Sequence, residues 1–168
     1  MENKMSESKL KEVLNKQQNK DNDSIPIEET LHIIGFMIGN EEFAVPILNV
    51  KEIIKPIEYT RVPAVPNYVL GVFNLRGTVL PLISMRLKFG LPAVKQDADT
   101  RFLVVTQKDE MIGFMIDKLT SAVRIPESDI EPIPETFNEN QNLLQGIGKR
   151  EDRLITILSV ENLLKRDF

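Results

Sequence analysis

The stretch VLGVFNLRGTVLPLI, from Val69 to Ile83, places one arginine between two apolar runs. Gly77 can adopt a positive φ angle, so the two runs are predicted to pair as strands joined by a hairpin or tight corner. A guanidinium group is costly to desolvate, and it should either reach water at a turn or meet a carboxylate. Arg76 is therefore predicted to lie at the turn between these strands.

Apolar segments elsewhere in the chain also predict short strands. LHIIGFMI and EEFAVPI flank the turn signal Gly39-Asn40 and predict a β-hairpin. RFLVVTQ, MIGFMIDKL and TSAVRIP are rich in β-branched and aromatic residues and are expected to form one meander. LLQGIGKREDRLITIL is expected to form a last hairpin. Short strands at intervals of about ten residues predict an all-β fold, either closed or sandwich-like.

A few segments carry helix or loop signals instead. ILNVKEII has apolar residues at helical spacing before Pro56, which favours a short amphipathic helix or helical turn, with a strand as the alternative. SMRLKFGL is predicted to form one helical turn that ends at Gly90. Ser159 is predicted to cap a last short helix. The Pro- and Asn-rich segment IPESDIEPIPETFNENQN is expected to run mostly as a surface loop.

The chain divides into a polar extension and a folded domain. Residues 1–31 are rich in Lys, Glu, Asn, Gln and Ser and are predicted to form a flexible extension, with a docking helix for a partner as the alternative. Residues 32–168 are expected to form the folded domain, which is long enough to bury a sizeable core. No run approaches the roughly 20 apolar residues that cross a bilayer, so direct membrane insertion is not expected.

Composition argues against several classes of function. The formal net charge of −4 makes nucleic acid a poor partner, and the lack of cysteine fits the cytoplasm. His32 is the only histidine and the carboxylates are spread over turns, so no catalytic site, metal site or cofactor is expected. A hydrolase that uses surface carboxylates is a remote alternative. Binding to other proteins is the function that remains.

The run from Phe36 to Leu91 resembles the CheW family of chemotaxis coupling proteins. The markers are NEEFAVPI with VKEII, TRVPAVPNYVLGVFNLRG and VLPLISMRLKFGL, and GFMIDKLTSAVRIPESDIEPIP fits the same pattern. The resemblance extends from about His32 to Leu164. It implies a few short helices and two five-stranded β-barrel-like subdomains packed on a shared hydrophobic core.

The resemblance also implies a role. Members of this family are adaptors without catalysis that couple the cytoplasmic tips of chemoreceptors to the regulatory domain of the histidine kinase CheA. Further implied partners are other CheW-like domains, in rings, and the implied location is the cytoplasm, with recruitment to membrane-associated receptor arrays. The alternative is an isolated coupling domain related to CheV or to the CheA regulatory domain, although the chain ends at Phe168 with no receiver after it.

Two family motifs give candidate site residues. The N-L-R-G motif starts at Asn74 and the V-x-E-I motif starts at Val50, and the hypothesis is that Arg76 pairs with Glu52. Asn74 and Gly77 are expected to shape the turn. The candidate receptor-binding residues, several of which could instead be ordinary core, are Val50, Glu52, Ile53, Ile54, Val69, Gly71, Leu75 and Arg76. The candidate kinase-binding residues, at strand ends, are Phe43, Val45, Val62, Met111 and Phe114.

Overall fold

The computed structural model describes residues 29–134, 136, 142–166 and 168. Most of the predicted extension, residues 1–28, lies outside the described residues. The described strands are β1 (Thr30–Ile38), β2 (Glu41–Pro46), β3 (Val50–Ile54), β4 (Val69–Leu75), β5 (Thr78–Ser84), β6 (Arg101–Gln107), β7 (Glu110–Ile116), β8 (Lys118–Pro126), β9 (Ile130–Pro132), β10 (Leu144–Arg150) and β11 (Arg153–Leu158). The α-helices are α1 (Met85–Lys88) and α2 (Val160–Leu163).

The strands form two sheets, and the second sheet is an insertion in the first. The first sheet has the order β8-β1-β2-β11-β10-β9, and the second has the order β3-β6-β7-β5-β4. Adjacent strands are antiparallel except for the parallel pairs β2–β11 and β5–β7. The chain therefore starts the first sheet, builds the whole second sheet, and returns at β8 to complete the first.

The predicted meander of three strands is wrong in its last member. β6 pairs with β7 in the second sheet, whereas β8 pairs with β1 in the first. The polar break at Asp117 was visible in the sequence, but it marks a crossing between sheets and not a hairpin turn.

Each sheet curls into a barrel-like unit, as contacts across its interior indicate. In the second sheet, the rings of Phe73 on β4 and Phe102 on β6 meet edge to face at 5.5 Å, although β5 and β7 separate these strands within the sheet. In the first sheet, a Cβ atom at Gly148 on β10 would lie 2.7 Å from Ile125 on β8. Strands far apart in sheet order thus face each other across each interior.

A third hydrophobic cluster, the shared core, lies between the two barrels. It combines first-barrel residues such as Phe36 and Val45 with second-barrel residues such as Leu103 and Phe114, and Leu163 of α2 packs into it. The predicted all-β fold with two barrel-like units on a shared core is confirmed. The first barrel has a sixth strand because the three-residue β9 pairs with β10.

The prediction of a helix for ILNVKEII is wrong over most of the segment, where the strand alternative is correct, but the predicted helical turn is present at its start. A 3-10 turn covers Ile47–Asn49, and β3 follows. Ile53 packs against the shared core while Ile54 packs against the interior of the second barrel. A strand with apolar residues on both faces does not alternate in polarity, so its pattern resembles that of a helix.

Several local predictions are confirmed. Gly90, just after α1, has a φ angle of 77°, and the Ser159 hydroxyl accepts a hydrogen bond of 3.4 Å from the Asn162 N–H at the start of α2. The last hairpin is formed by β10 and β11. The prediction that IPESDIEPIPETFNENQN runs mostly as a loop is wrong over most of its described residues, because they form the end of β8, a 3-10 turn at Glu127–Asp129 and β9. Residues 135 and 137–141 of this segment lie outside the described part of the chain.

Candidate docking site at the Arg76 hairpin

The hairpin between β4 and β5 turns on Arg76 and Gly77, as predicted. Leu75 pairs with Thr78, so the loop has two residues, and the φ angles of Arg76 and Gly77 are 51° and 89°. Positive φ at both positions is typical of a type I′ turn, which matches the twist of the strands. The Asn74 side-chain oxygen accepts a hydrogen bond of 2.8 Å from the Gly77 N–H. The positive φ of Arg76 was not anticipated, and it costs about 1 to 2 kcal/mol in a residue other than glycine.

The predicted ion pair between Arg76 and Glu52 is present. The Arg76 Nη2 atom lies 2.8 Å from the Glu52 Oε1 atom, and the two side chains are 80% and 24% exposed. Because β3 and β4 are the two edges of the second sheet, this contact ties the tip of the β4–β5 hairpin to the opposite edge. An exposed pair of this kind contributes only about 0 to 1 kcal/mol.

Only part of the predicted receptor-binding set is accessible. Val50, Ile53, Ile54 and Leu75 are half-buried, whereas Val69 is 7% exposed and packs in the shared core. Six members of the set remain when Val69 and Gly71 are left out. We call them the hairpin surface: Val50, Glu52, Ile53, Ile54, Leu75 and Arg76.

Gly71 is buried for a packing reason. Thr60 and Val72 exchange two backbone hydrogen bonds of 2.8 and 2.9 Å, which bring the Thr60 carbonyl close to Gly71. A Cβ atom at position 71 would overlap the Thr60 carbonyl oxygen, and the φ angle of Gly71 is 154°. Gly71, a candidate receptor-binding residue, is therefore in close contact with this chain's own backbone and does not offer a contact surface.

Most of the predicted kinase-binding residues are buried, which contradicts a role as exposed contact residues. Val45 and Phe114 are fully buried in the shared core, and Phe43 is 7% exposed with its ring stacked on Phe89 at 4.9 Å. These positions are strand residues that face the junction of the barrels, so they present little or no surface to a partner. Val62, which is 37% exposed, and the half-buried Met111 are the accessible members.

Sequence reasoning missed most of the exposed large apolar side chains among the described residues, including the three that are most exposed. Leu48, which is 92% exposed, lies in the 3-10 turn just before β3, and Val79, which is 63% exposed, lies in β5 opposite Asn74. Leu154 of the first barrel is 61% exposed. Val79 and Leu154 stand in apolar runs whose other apolar members are buried, so periodicity gave no signal that these two side chains face solvent.

The described residues give little support to other kinds of site. Within them, no cluster of three or more His, Cys, Asp or Glu side chains is arranged to bind a metal ion. No helix among them has the length and apolar character needed to cross a membrane.

Comparison with known proteins places these features in a family. A family model described as CheW-like domain matches residues 32–168. Chemotaxis protein CheW of Helicobacter pylori is 65% identical over 141 residues, which cover 84% of this chain and 86% of the relative. Chemotaxis protein CheW of Bacillus subtilis is 33% identical over 136 residues, which cover 80% and 87%.

A solved structure shows the same fold. The scaffolding protein TtCheW from Thermoanaerobacter tengcongensis superposes with a TM-score of 0.73 at 27% identity, over 78% of this chain and 90% of that protein. The chain thus belongs to the CheW-like family of chemotaxis coupling proteins, which act as scaffolding adaptors.

Proposed function

We propose that this chain binds the cytoplasmic tips of chemoreceptors and the regulatory domain of the histidine kinase CheA, and that it catalyses no reaction itself. The observation that carries the receptor half of this proposal is the Arg76–Glu52 pair. The pair contributes little stability, and Arg76 occupies a strained turn position that glycine would adopt at lower cost. A binding role accounts for an arginine at this position better than stability does.

The chemistry of the hairpin surface suits the tip of a helical receptor hairpin. Half-buried side chains such as Ile54 and Leu75 offer apolar contact, and the exposed Leu48 and Val79 lie close to them in the chain. An amphipathic helix lays its apolar face on such a surface. The Arg76 guanidinium has five N–H donors and uses Nη2 for Glu52, so it retains donors for a carboxylate or carbonyl of the receptor.

For the kinase, the proposal uses the accessible members of the predicted set, Val62 and Met111. Contacts with other CheW-like domains would also involve the first barrel, where Leu154 offers an exposed apolar side chain. Partners on both barrels would recruit this chain from the cytoplasm into receptor arrays.

The receptor contact is tested by titrating a purified receptor cytoplasmic fragment into the wild type and the Arg76→Ala variant in a calorimeter. We expect affinity to fall roughly tenfold or more, because a central arginine at an interface is a frequent hot spot. Lys149→Ala is the matched control. It removes an ion pair of the same length, 2.8 Å, between Lys149 and Glu131 on the first barrel, and should leave receptor affinity unchanged.

Melting temperatures of both variants separate binding from folding. A loss of receptor and kinase binding by Arg76→Ala that only follows its loss of stability would reject the proposed interaction role. Equal losses of receptor affinity in Arg76→Ala and Lys149→Ala would also reject the proposed interaction role.

A further inference from the structure

The chain crosses between the barrels twice, by connections of different kinds. It leaves the first barrel through the 3-10 turn Ile47–Asn49, where the Asn49 side chain donates a hydrogen bond of 3.0 Å to the Thr106 carbonyl. It returns through a single residue, Asp117, which lies between the last residue of β7 and the first residue of β8. A one-residue crossing gives this connection little slack.

Asp117 contacts both barrels at once. Its carboxylate accepts hydrogen bonds from Arg86 of α1, with distances of 2.9 Å from Nε to each oxygen and 2.8 Å from Nη2 to Oδ2. The Oδ2 atom also accepts a hydrogen bond of 2.8 Å from the Gly39 N–H at the β1–β2 turn of the first barrel. The Asp117 N–H donates to the Met37 carbonyl at 3.2 Å. One side chain therefore joins α1 of the second barrel to the first turn of the first barrel.

This polar junction differs in its physics from the shared core beside it. Apolar packing is non-directional and tolerates small rotations, whereas a two-oxygen contact with a planar guanidinium fixes direction. The side chains of Arg86 and Asp117 are only 20% and 23% exposed, so solvent screens them much less than it screens the Arg76–Glu52 pair. Arg86 is held in turn by a hydrogen bond of 3.2 Å from its Nη1 atom to the Pro92 carbonyl.

We infer that Arg86 and Asp117 form a clamp that fixes the angle between the two barrels, and that both act as positioning residues for assembly. Neither residue needs to touch a partner. A chain that engages partners through both barrels presents its two docking surfaces at the angle that this clamp sets. The assembly part of this inference rests on the proposed function, whereas the structural part does not.

The structural part is tested on the full chain by measuring a distance between spin labels. The chain has no cysteine, so Asp109→Cys and Asp152→Cys, at exposed turns of the second and first barrels, provide two unique labelling sites. We expect one narrow distance distribution in the labelled parent. Asp117→Asn keeps the side-chain shape and an acceptor for the Gly39 N–H but removes the negative charge, and it should broaden the distribution about twofold.

A second variant guards against a simple loss of stability. Replacing a half-buried ion pair by apolar residues often preserves stability, so Arg86→Leu with Asp117→Leu should melt near the parent while keeping the broad distribution. Ile155→Val, which weakens the interior of the first barrel without touching the clamp, should keep the narrow one. Narrow distributions in both clamp variants would overturn the inference.

Assembly supplies the functional readout. Each clamp variant should bind the receptor fragment alone, and the kinase regulatory domain alone, within about twofold of the parent. Formation of the three-component complex should fall about tenfold, as expected when a coupling between sites is lost. Undiminished three-component assembly would overturn the positioning role. Failure of the parent to bind either partner would instead overturn the proposed function and leave the distance result standing.

Discussion

The interiors of the two barrels are packed with different kinds of residues. The interior of the first barrel is aliphatic throughout its buried cluster, which contains Ile33, Ala44, Val123, Ile125, Ile155 and Ile157. The second barrel is built around the edge-to-face pair Phe73 and Phe102, and Gly113 leaves room for the Phe73 ring, which lies 2.5 Å from the position that a Cβ atom would take. Aromatic rings are rigid planes, whereas aliphatic side chains can change rotamer to fill altered space. The second barrel, which carries the hairpin surface, should therefore tolerate substitution less well.

The barrels also differ in how a polar side chain links strands that are not neighbours in the sheet. In the second barrel, the Arg76 side chain reaches Glu52 on the opposite edge strand. In the first barrel, the Arg150 guanidinium donates a hydrogen bond of 2.7 Å to the Arg124 carbonyl on β8. The first link joins two side chains, while the second holds the backbone directly.

The largest difference should appear when an interior side chain is truncated. Phe102→Ala is expected to lower the free energy of unfolding by about 3 to 5 kcal/mol, from the lost burial and the cavity left behind. Ile155→Ala in the first barrel should cost about 1 kcal/mol less, since no aromatic pair is lost with it. Urea denaturation of both variants measures the two values. A larger loss for Ile155→Ala would contradict the ranking.

Added methyl groups test how far each barrel can adjust. Gly71→Ala should cost about 2 to 4 kcal/mol, because the new Cβ atom would overlap the Thr60 carbonyl and the φ angle of 154° strains it. Gly148→Ala in the first barrel should cost about 1 to 2 kcal/mol, because its nearest neighbour, at 2.7 Å, is the end of the flexible Ile125 side chain. Thermal melts rank the pair, and the reverse order would show that the first barrel is the more rigid one.

Glycine at the hairpin tips should separate strain from ion pairing. Glu151, at the tip of the β10–β11 hairpin, is exposed and has a φ angle of 55°, so Glu151→Gly should raise the free energy of unfolding by up to about 1 kcal/mol. Arg76→Gly relieves similar strain but loses the contact with Glu52, so we expect a change close to zero. Arg76→Ala keeps the strain and should be the least stable of the three in urea. Equal stabilities for Arg76→Ala and Arg76→Gly would rule out strain at this turn.

The smallest effect concerns pH. The hydrogen bond to Glu131, and then its negative charge, raise the pKa of Lys149 above 10.5. A raised pKa means that the stabilisation is fully present below about 10.5 and is lost as the pH rises through the folded-state pKa. The difference in melting temperature between the wild type and Lys149→Met should therefore shrink above this pH. Arginine stays protonated there, so the corresponding difference for Arg76→Met should not change in the same range.

Local features of the docking site could be predicted from the sequence because they depend on neighbouring residues. A glycine between two apolar runs, with Asn74 three residues before it, is sufficient to indicate the turn. The contact with Glu52 followed from the motif shared with the CheW family, since no local rule joins β3 to a hairpin tip. The positive φ of Arg76 could not be predicted, because arginine is an unusual choice for that position.

The predictions of exposed binding residues failed where the outcome depended on which core a side chain faces. Val45 and Phe114 stand in strands that lie between a barrel interior and the shared core, where residues on both faces are buried. A single sequence cannot separate such a strand from one with an exposed apolar face. The predicted meander failed at Asp117 for a related reason. A polar break marks the end of a strand but does not indicate which sheet contains the next strand.

The insertion of the second sheet into the first bears on how this chain folds during synthesis. All strands of the second barrel have been made once residue 116 leaves the ribosome, whereas the parallel partner of β2, β11, ends only at Leu158. When residue 116 has been made, both edges of the N-terminal hairpin are therefore unpaired: the β1 edge must wait for β8 and the β2 edge for β11. Pairing between segments this far apart is slow, and an open strand edge invites association with other chains. Nascent chains halted between these two points should be the species most dependent on chaperones.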